Sequence, residues 1–271
     1  MSPTKLTPLD VFKLTNQSNC GECDLPNCMA FAARVTQGIK DPRDCPHLEA
    51  EVIEKILRSA DVEEDVPVEE NRPESLLSEL FDQIGDIDFP EAAQRLGGWM
   101  SGSRLGIRCL GKIFELDNKG GLHSLCHVNP WIHVSILQYV IHGEGLDPVG
   151  EWTIFREMKK AQDWERFFAH RCERAFLQIA DQHTDLFLDI LELFGKSIHV
   201  PGVEAEYSIL LHPLPKAPFL FCYSPSDGRF ESNFNLFFDK TIEANLRAEG
   251  TYLLAQGLVE MIKRLIARHE H

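Results

Sequence analysis

The stretch Asn19-Cys20-Gly21-Glu22-Cys23-Asp24-Leu25-Pro26-Asn27-Cys28-Met29-Ala30-Phe31-Ala32, completed by Cys45-Pro46, decides how the rest of the chain is read. Its four cysteines are separated by two, four and sixteen residues. The shortest step lets neighbouring sulfurs grip adjacent corners of one metal centre, and the next adds a third from the same loop. The longest is enough for a helix to run out and the chain to return with the fourth. Soft thiolates select iron–sulfur clusters or zinc over calcium or magnesium. A structural zinc accepts four cysteines, but its ligands usually come as two close pairs. Three close cysteines with a distant Cys-Pro follow the ferredoxin pattern, so the spacing favours a [4Fe–4S] cluster and keeps zinc as the alternative. A disulfide framework fits poorly, since nothing else in the chain points to export.

The flanking residues predict short helices around this site. Thr7-Pro8-Leu9-Asp10 is a helix start, with threonine as cap, proline in the first turn and an acid after it. Met29 to Gln37 reads as a helix beginning at Cys28, with Phe31 and Val35 on one face and Gly38 placed to end it. Pro46 is expected to open another helix through Leu48, Val52, Ile53, Ile56 and Leu57, directly after Cys45. Two helix N-termini would then offer N–H groups to an anionic centre. His47 is read as a surface residue of that first turn. A module this small needs a metal in order to fold.

Asn19-Cys20-x2-Cys23-x4-Cys28-Met29-Ala30-Phe31-Ala32, with Gly38 and Cys45-Pro46, resembles the cluster-binding module of the corrinoid iron–sulfur protein large subunit of the acetyl-CoA pathway. The resemblance covers about residues 5–58. It implies that Cys20, Cys23, Cys28 and Cys45 are the four ligands of one [4Fe–4S] cluster. Relatives often place glycine directly after the second cysteine, where this chain has Asp24.

The net charge of −15 over 271 residues argues against nucleic acid, which wants basic patches. No apolar run approaches the ~20 residues that span a bilayer, and the N-terminus lacks signal-peptide character, so a cytoplasmic protein without membrane contact is expected. Residues 60–75 carry seven acids against one base, with two prolines and few large apolar side chains. They read as a solvated acidic linker between a cluster module, 1–59, and a second domain, 76–271. Cys109, Cys126, Cys172 and Cys222 are scattered singly and read as small buried hydrophobes.

In the second domain a helix is expected from Ser75 through Ile84, and another after the cap Asp88 and Pro90. Arg104–Leu116 alternates as one or two strands, with Gly111 at a bulge or turn, and Asn118–Gly121 is a turn. Pro130-Trp131 opens a helix, and Asp163–Phe194 reads as two helical segments broken near His183-Thr184. Tyr207–Pro213, Phe219–Tyr223 and Phe230–Phe234 read as strands, the first two joined through Leu214–Pro218, with Pro213, Pro215 and Pro218 fixing a rigid edge or turn. An amphipathic helix closes the chain. The class is α+β: a small helical four-cysteine module, an acidic linker and a larger, helix-dominated α+β domain.

Leu110-Gly111-Lys112, Gly150-Glu151-Trp152, His212–Pro218 and Leu236-Phe237-Phe238-Asp239 with Leu246 and Glu249 resemble an uncharacterised domain of anaerobic bacteria and archaea. It is often fused to this cluster module. His123, His127, His133 and His142 lie within twenty residues. They are either ordinary loop and helix histidines or candidates to coordinate a corrinoid (cobalamin) cobalt, an idea that the first resemblance brings. Trp152, Phe155, Trp164, Phe167 and Phe168 suit a flat macrocycle, or simply a core. Gly143-Glu144-Gly145 lacks a third glycine, and no nucleophile-and-base set or P-loop appears, so no enzymatic activity is assigned. The resemblances imply one-electron transfer linked to corrinoid-dependent one-carbon metabolism in an anaerobe, with a redox or corrinoid protein as partner. Two alternatives stand beside it: a large domain that itself carries the corrinoid, and a non-redox interaction protein whose metal only folds the module.

Overall fold

A computed structural model describes residues 6–36, 40–60, 72–125 and 128–269. The chain divides into two compact units, 1–70 and 71–271, each with its own core. Gly38, Cys126, His127 and 61–71 of the expected linker lie outside the described residues.

In the first unit, α1 (Pro8–Leu14) starts at Thr7, whose side chain accepts from the Asp10 N–H while the Asp10 carboxylate accepts from the Thr7 N–H. This reciprocal cap satisfies two donors that a helix end would otherwise leave unpaired. Helix α2 (Cys28–Thr36) begins at the third cysteine and buries Phe31, Ala32 and Val35. Helix α3 (Ala50–Ala60) starts later than the sequence predicts. Pro46 instead takes the second position of a tight turn, which the Leu48 N–H closes on the Cys45 carbonyl at 3.3 Å. Proline's fixed φ suits that position as well as it suits a helix start. Only α2 therefore begins at a cysteine. Val11, Cys23, Phe31, Ala32, Val35, Cys45, Leu48 and Ile56 make the small core.

The second unit opens with α4 (Arg72–Ile84), three residues earlier than expected, and α5 (Phe89–Leu96), capped by Asp88 on the Glu91 N–H. An antiparallel four-stranded sheet follows in sequential order: β1 (Trp99–Ser101), β2 (Arg104–Cys109), β3 (Lys112–Leu116) and β4 (Leu122–His123). Strands β2 and β3 meet through Leu110 and Gly111, both at positive φ (47° and 74°), as a two-residue primed turn requires. Helix α6 (Pro130–His142), capped by Asn129, and strand β5 (Trp152–Ile154) come next. Helices α7 (Glu165–Phe168), α8 (Arg174–Gln182) and α9 (Thr184–Phe194) follow, with a π-helical turn at Ala169–Glu173.

Strands β6 (Gly195–Ser197), β7 (Tyr207–Leu214), β8 (Ala217–Ser224) and β9 (Asn233–Asp239) form an antiparallel five-stranded sheet with β5, ordered β5-β9-β8-β7-β6. Two sequence expectations shift here. Pro213 and Pro218 lie within strands, with a register irregularity between Leu211 and Leu214, so the turn is only Pro215-Lys216. The last strand begins at Asn233, because the Asp227 carboxylate holds the Arg229 and Phe230 N–H groups in a turn. The short strands β1, β4, β5 and β6, two or three residues each, gave no periodic signal.

Helix α10 (Ile242–His269), broken at Arg247, packs along α6. A Cβ at Gly257 would sit 3.1 Å from Ile132, so the missing side chain permits this close approach. The aromatic group is core rather than a cofactor slab. Phe155 and Phe168 are buried and stack at 4.1 Å, and both meet Phe238 edge-on. Cys109, Cys172 and Cys222 are buried, as the sequence implied.

Buried polar groups fasten the loop from Gly143 to Gly150 to this core. The Asp239 carboxylate, fully buried, accepts from the Val149, Gly150 and Thr241 N–H groups and the Thr241 hydroxyl. Asn245 bonds Leu146 through both ends of its amide and also donates to the Lys216 carbonyl. Lys216 Nζ donates to the Gly145 carbonyl at 2.7 Å.

Asp239→Ala strands three backbone donors in the core and is expected to lower unfolding stability by about 3 kcal/mol, read from the urea midpoint of the second unit. Burial holds the Glu173 carboxyl at about 7 against an ordinary 4.5, although the Leu236 N–H and the Arg156 charge pull the other way. The folded state thus keeps a proton that the unfolded state releases, and stability falls as pH rises from about 4.5 to about 7. Glu173→Gln is expected to flatten that part of the stability profile, and an unchanged slope would refute the assignment.

Candidate metal centre

The loop between α1 and α2 is built on left-handed backbone. Gln17, Asn19, Gly21 and Asp24 have φ of 55°, 52°, 78° and 62°. The Asn19 N–H meets a cysteine sulfur, while those of Gln17 and Asp24 close local turns on the Thr15 hydroxyl and the Gly21 carbonyl. The position where relatives often carry glycine is one of the four. Asp24 adopts a conformation that glycine takes freely and that aspartate tolerates better than most residues.

Two asparagines fix the start of α2. The Asn27 carbonyl side chain accepts from the Ala30 N–H at 2.8 Å, and that of Asn19 accepts from the Cys28 N–H at 2.9 Å. The Asn19 N–H in turn donates to Cys28 Sγ at 3.4 Å. On the far side of the site, the Pro46 turn brings the His47 N–H onto the Cys45 sulfur. Each asparagine directly precedes a cysteine in the sequence, a signal that residue type alone left without a role.

All four cysteines are free thiols, with Cys23, Cys28 and Cys45 buried and Cys20 exposed. Burial and the neighbouring sulfurs of Cys23, Cys28 and Cys20 push the Cys45 thiol up, opposed by the His47 N–H. Metal binding by such thiols displaces their protons. The donor set, all soft sulfur with N–H groups aimed at two of the ligands, fits an iron–sulfur group. Beside Cys20 Sγ lie a Glu22 carboxylate oxygen and a His47 ring nitrogen, all within 4.8 Å of one another.

The histidines of the second unit are placed differently. His123 Nε2 sits 2.7 Å from the Asp117 carboxylate. His133 Nε2 donates to the Gly120 carbonyl at 2.7 Å, and its burial holds the imidazole below its usual range. Both meet the same turn. His142 ends α6, where burial and then the Arg247 charge lower it.

Comparison with known proteins gives each unit a relationship. Residues 16–47, which contain all four cysteines, match a family described as "Putative Fe-S cluster". Residues 88–261, more than half of the chain, match the family described as "Domain of unknown function (DUF3786)". The chain belongs to the DUF3786 family. In this DUF3786 protein the residues that carried the second resemblance serve structure. Gly150 and Asp239 join in the buried clamp, Lys240 N–H donates to the Glu151 carbonyl, and Leu110 N–H donates to that of Pro213. Its iron–sulfur segment is similar to the corrinoid/iron-sulfur protein large subunit of Moorella thermoacetica, 40% identical over 43 residues, 16% of this chain and 10% of that protein. It is similar as well to the acetyl-CoA decarbonylase/synthase complex subunit gamma of Methanopyrus kandleri, 38% identical over 52 residues, 19% and 11% of the two chains. The corresponding subunit of Methanothermobacter thermautotrophicus is 35% identical over 113 residues, covering 34% of this chain and 25% of that one. Aligned segments thus span between 10% and 25% of these relatives. No solved structure matches the chain. An iron–sulfur cofactor belongs to the N-terminal segment.

Left-handed backbone at position 24 predicts a graded series. Asp24→Gly is expected to keep the iron content and raise the thermal midpoint of the module. Asp24→Val, which forces a β-branched residue into a conformation costing about 1–2 kcal/mol, lowers both. Equal iron content and midpoints across the series would overturn the loop assignment.

Proposed function

We propose that Cys20, Cys23, Cys28 and Cys45 hold a [4Fe–4S] cluster and that the protein passes single electrons to a protein partner in corrinoid-dependent one-carbon metabolism. The observation that carries this reading is that Cys23 and Cys45 share one small core and that Asn19, next to Cys20, is bonded to Cys28, within the segment that matches an iron–sulfur family. Such a cluster, when bound, supplies one-electron chemistry with little rearrangement.

The chain's own residues set the conditions for it. The bond from Asn19 to Cys28 and that from His47 to Cys45 draw negative charge from two sulfurs, which favours the reduced state. The α2 N-terminus at Cys28 adds a positive dipole end. Phe31, Val35 and Leu48 keep water from the buried side. The metabolic assignment follows the subunits of acetyl-CoA decarbonylase/synthase and the corrinoid/iron-sulfur protein, whose own segments this module resembles. A site of this sort belongs in a reducing cytoplasm, and no helix among the described residues is long and apolar enough to cross a membrane. A corrinoid held by the large unit draws less support, because the family matched there is described only as a domain of unknown function; His123 and His133 each bond one ring nitrogen within the fold and keep the other.

Protein purified without oxygen is expected to carry about four irons and four sulfides per chain, with a broad visible absorption that dithionite bleaches. Zinc in place of iron, or no inorganic sulfide, would sink the redox reading. Titration with cobalamin is expected to leave the cobalamin spectrum unchanged, and a shift abolished by His133→Ala would bring the corrinoid-carrier reading forward.

A further inference from the structure

The four thiols are not held alike. Cys23, Cys28 and Cys45 are 8%, 8% and 7% exposed, while Cys20 is open to solvent. Cys23 and Cys45 pack in the small core beside Val11 and Phe31. Cys28 opens α2 and exchanges two hydrogen bonds with Asn19. Packing and helix capping therefore fix three sulfurs, and the fourth hangs on a loop next to Gly21 at φ 78°.

Beside that fourth sulfur stands a second set of donors. His47 Nε2 and Glu22 Oε2 are 3.2 Å apart, and a His47 ring nitrogen, a Glu22 carboxylate oxygen and Cys20 Sγ lie within 4.8 Å of one another. The pair ties the first cysteine loop to the turn after Cys45. A histidine with one ring nitrogen on a carboxylate has its orientation fixed and its other nitrogen available, the usual arrangement of metal-bound histidine. Here Nε2 is taken by Glu22, which leaves Nδ1. Imidazole is an acceptable iron ligand, and exchanging thiolate for it on one iron of a cluster raises the reduction potential.

We propose that Cys20 is the exchangeable ligand of the cluster and that His47, steadied by Glu22, takes its place on the same iron. The proposal rests on the four-cysteine reading above. In the exchange the bond between Cys20 Sγ and iron breaks, and the departing thiolate takes a proton from water. A bond from His47 to that iron forms, and no oxidation state changes. One negative charge leaves the ligand set, so the exchange makes the site easier to reduce. The module thus holds its cluster on one side with three anchored sulfurs and presents to solvent a corner with two interchangeable ligands.

The test uses the full-length protein, prepared without oxygen, as wild type and as Cys20→Ala, Cys23→Ala, Cys45→Ala and the double variant Cys20→Ala/His47→Ala. Cys20→Ala is expected to retain about four irons, to show a nitrogen hyperfine coupling by pulsed EPR of the reduced protein that the wild type lacks, and to have a more positive potential. Cys23→Ala and Cys45→Ala lose most of their iron. Removing His47 from the Cys20→Ala background abolishes the nitrogen coupling, and Glu22→Gln in that background weakens iron retention about tenfold. Cys20→Ala that loses iron as fully as Cys23→Ala, or keeps it without nitrogen coupling, overturns the proposal.

Alkylation of the wild-type holoprotein by iodoacetamide gives an answer even if the variants fail to fold. Cys20 is expected to be labelled first among the four, with iron still present, and equal protection of all four refutes the exchange. Wild-type protein without iron and sulfide would refute the cluster reading itself, an outcome separate from these.

Discussion

Burial of cysteine sulfurs in one small core is the constraint on which the N-terminal unit depends. Its apolar cluster is small and includes two of the four N-terminal cysteines, Cys23 and Cys45. Burial and then the surrounding sulfurs push the Cys45 thiol up, and the His47 N–H opposes them. Metal binding by such thiols displaces their protons. Backbone at Gln17, Asn19 and Asp24 takes the left-handed conformation that residues with a side chain seldom adopt, and the Asn19 N–H meets the Cys28 sulfur. A site that held its ligands only by side-chain packing would not need such a loop.

The second unit follows a different logic. Its polar investment goes into backbone satisfaction. Asp239, Asn245 and Lys216 tie down the loop from Gly143 to Gly150, and the first two are fully buried. Buried polar groups persist only where their hydrogen bonds are complete, and each of these has its partners. Gly150 and Asp239 thus help specify how sheet, loop and helix join. The cysteine-rich metal chemistry is concentrated in the other unit.

Unequal anchoring within the cysteine set links geometry to function. Three sulfurs sit in packed or capped positions, and one is open to solvent. Under the proposed redox role, the packed side would hold the metal group and the open side would be where electrons pass. His47 and Glu22 stand on that open side.

Spacing and residue type by themselves determined the four-cysteine set, the cap at Thr7, the helix opening at Cys28 and the α+β class, because each rests on local chemistry. The helices after Asp88 and Asn129 and the turn at Leu110-Gly111 were legible for the same reason: proline, capping side chains and glycine act within a few residues. Only tertiary structure decided that Pro46 makes a turn, since proline's φ suits both outcomes and the Leu48 N–H settles it by bonding Cys45. It alone supplied β1, β4, β5 and β6, whose two or three residues carry no periodicity and owe their pairing to neighbouring strands. It alone brought Glu22 and His47 together beside Cys20, across twenty-four intervening positions, because ion pairs between loops depend on how the loops fold and leave no trace in the order of residues.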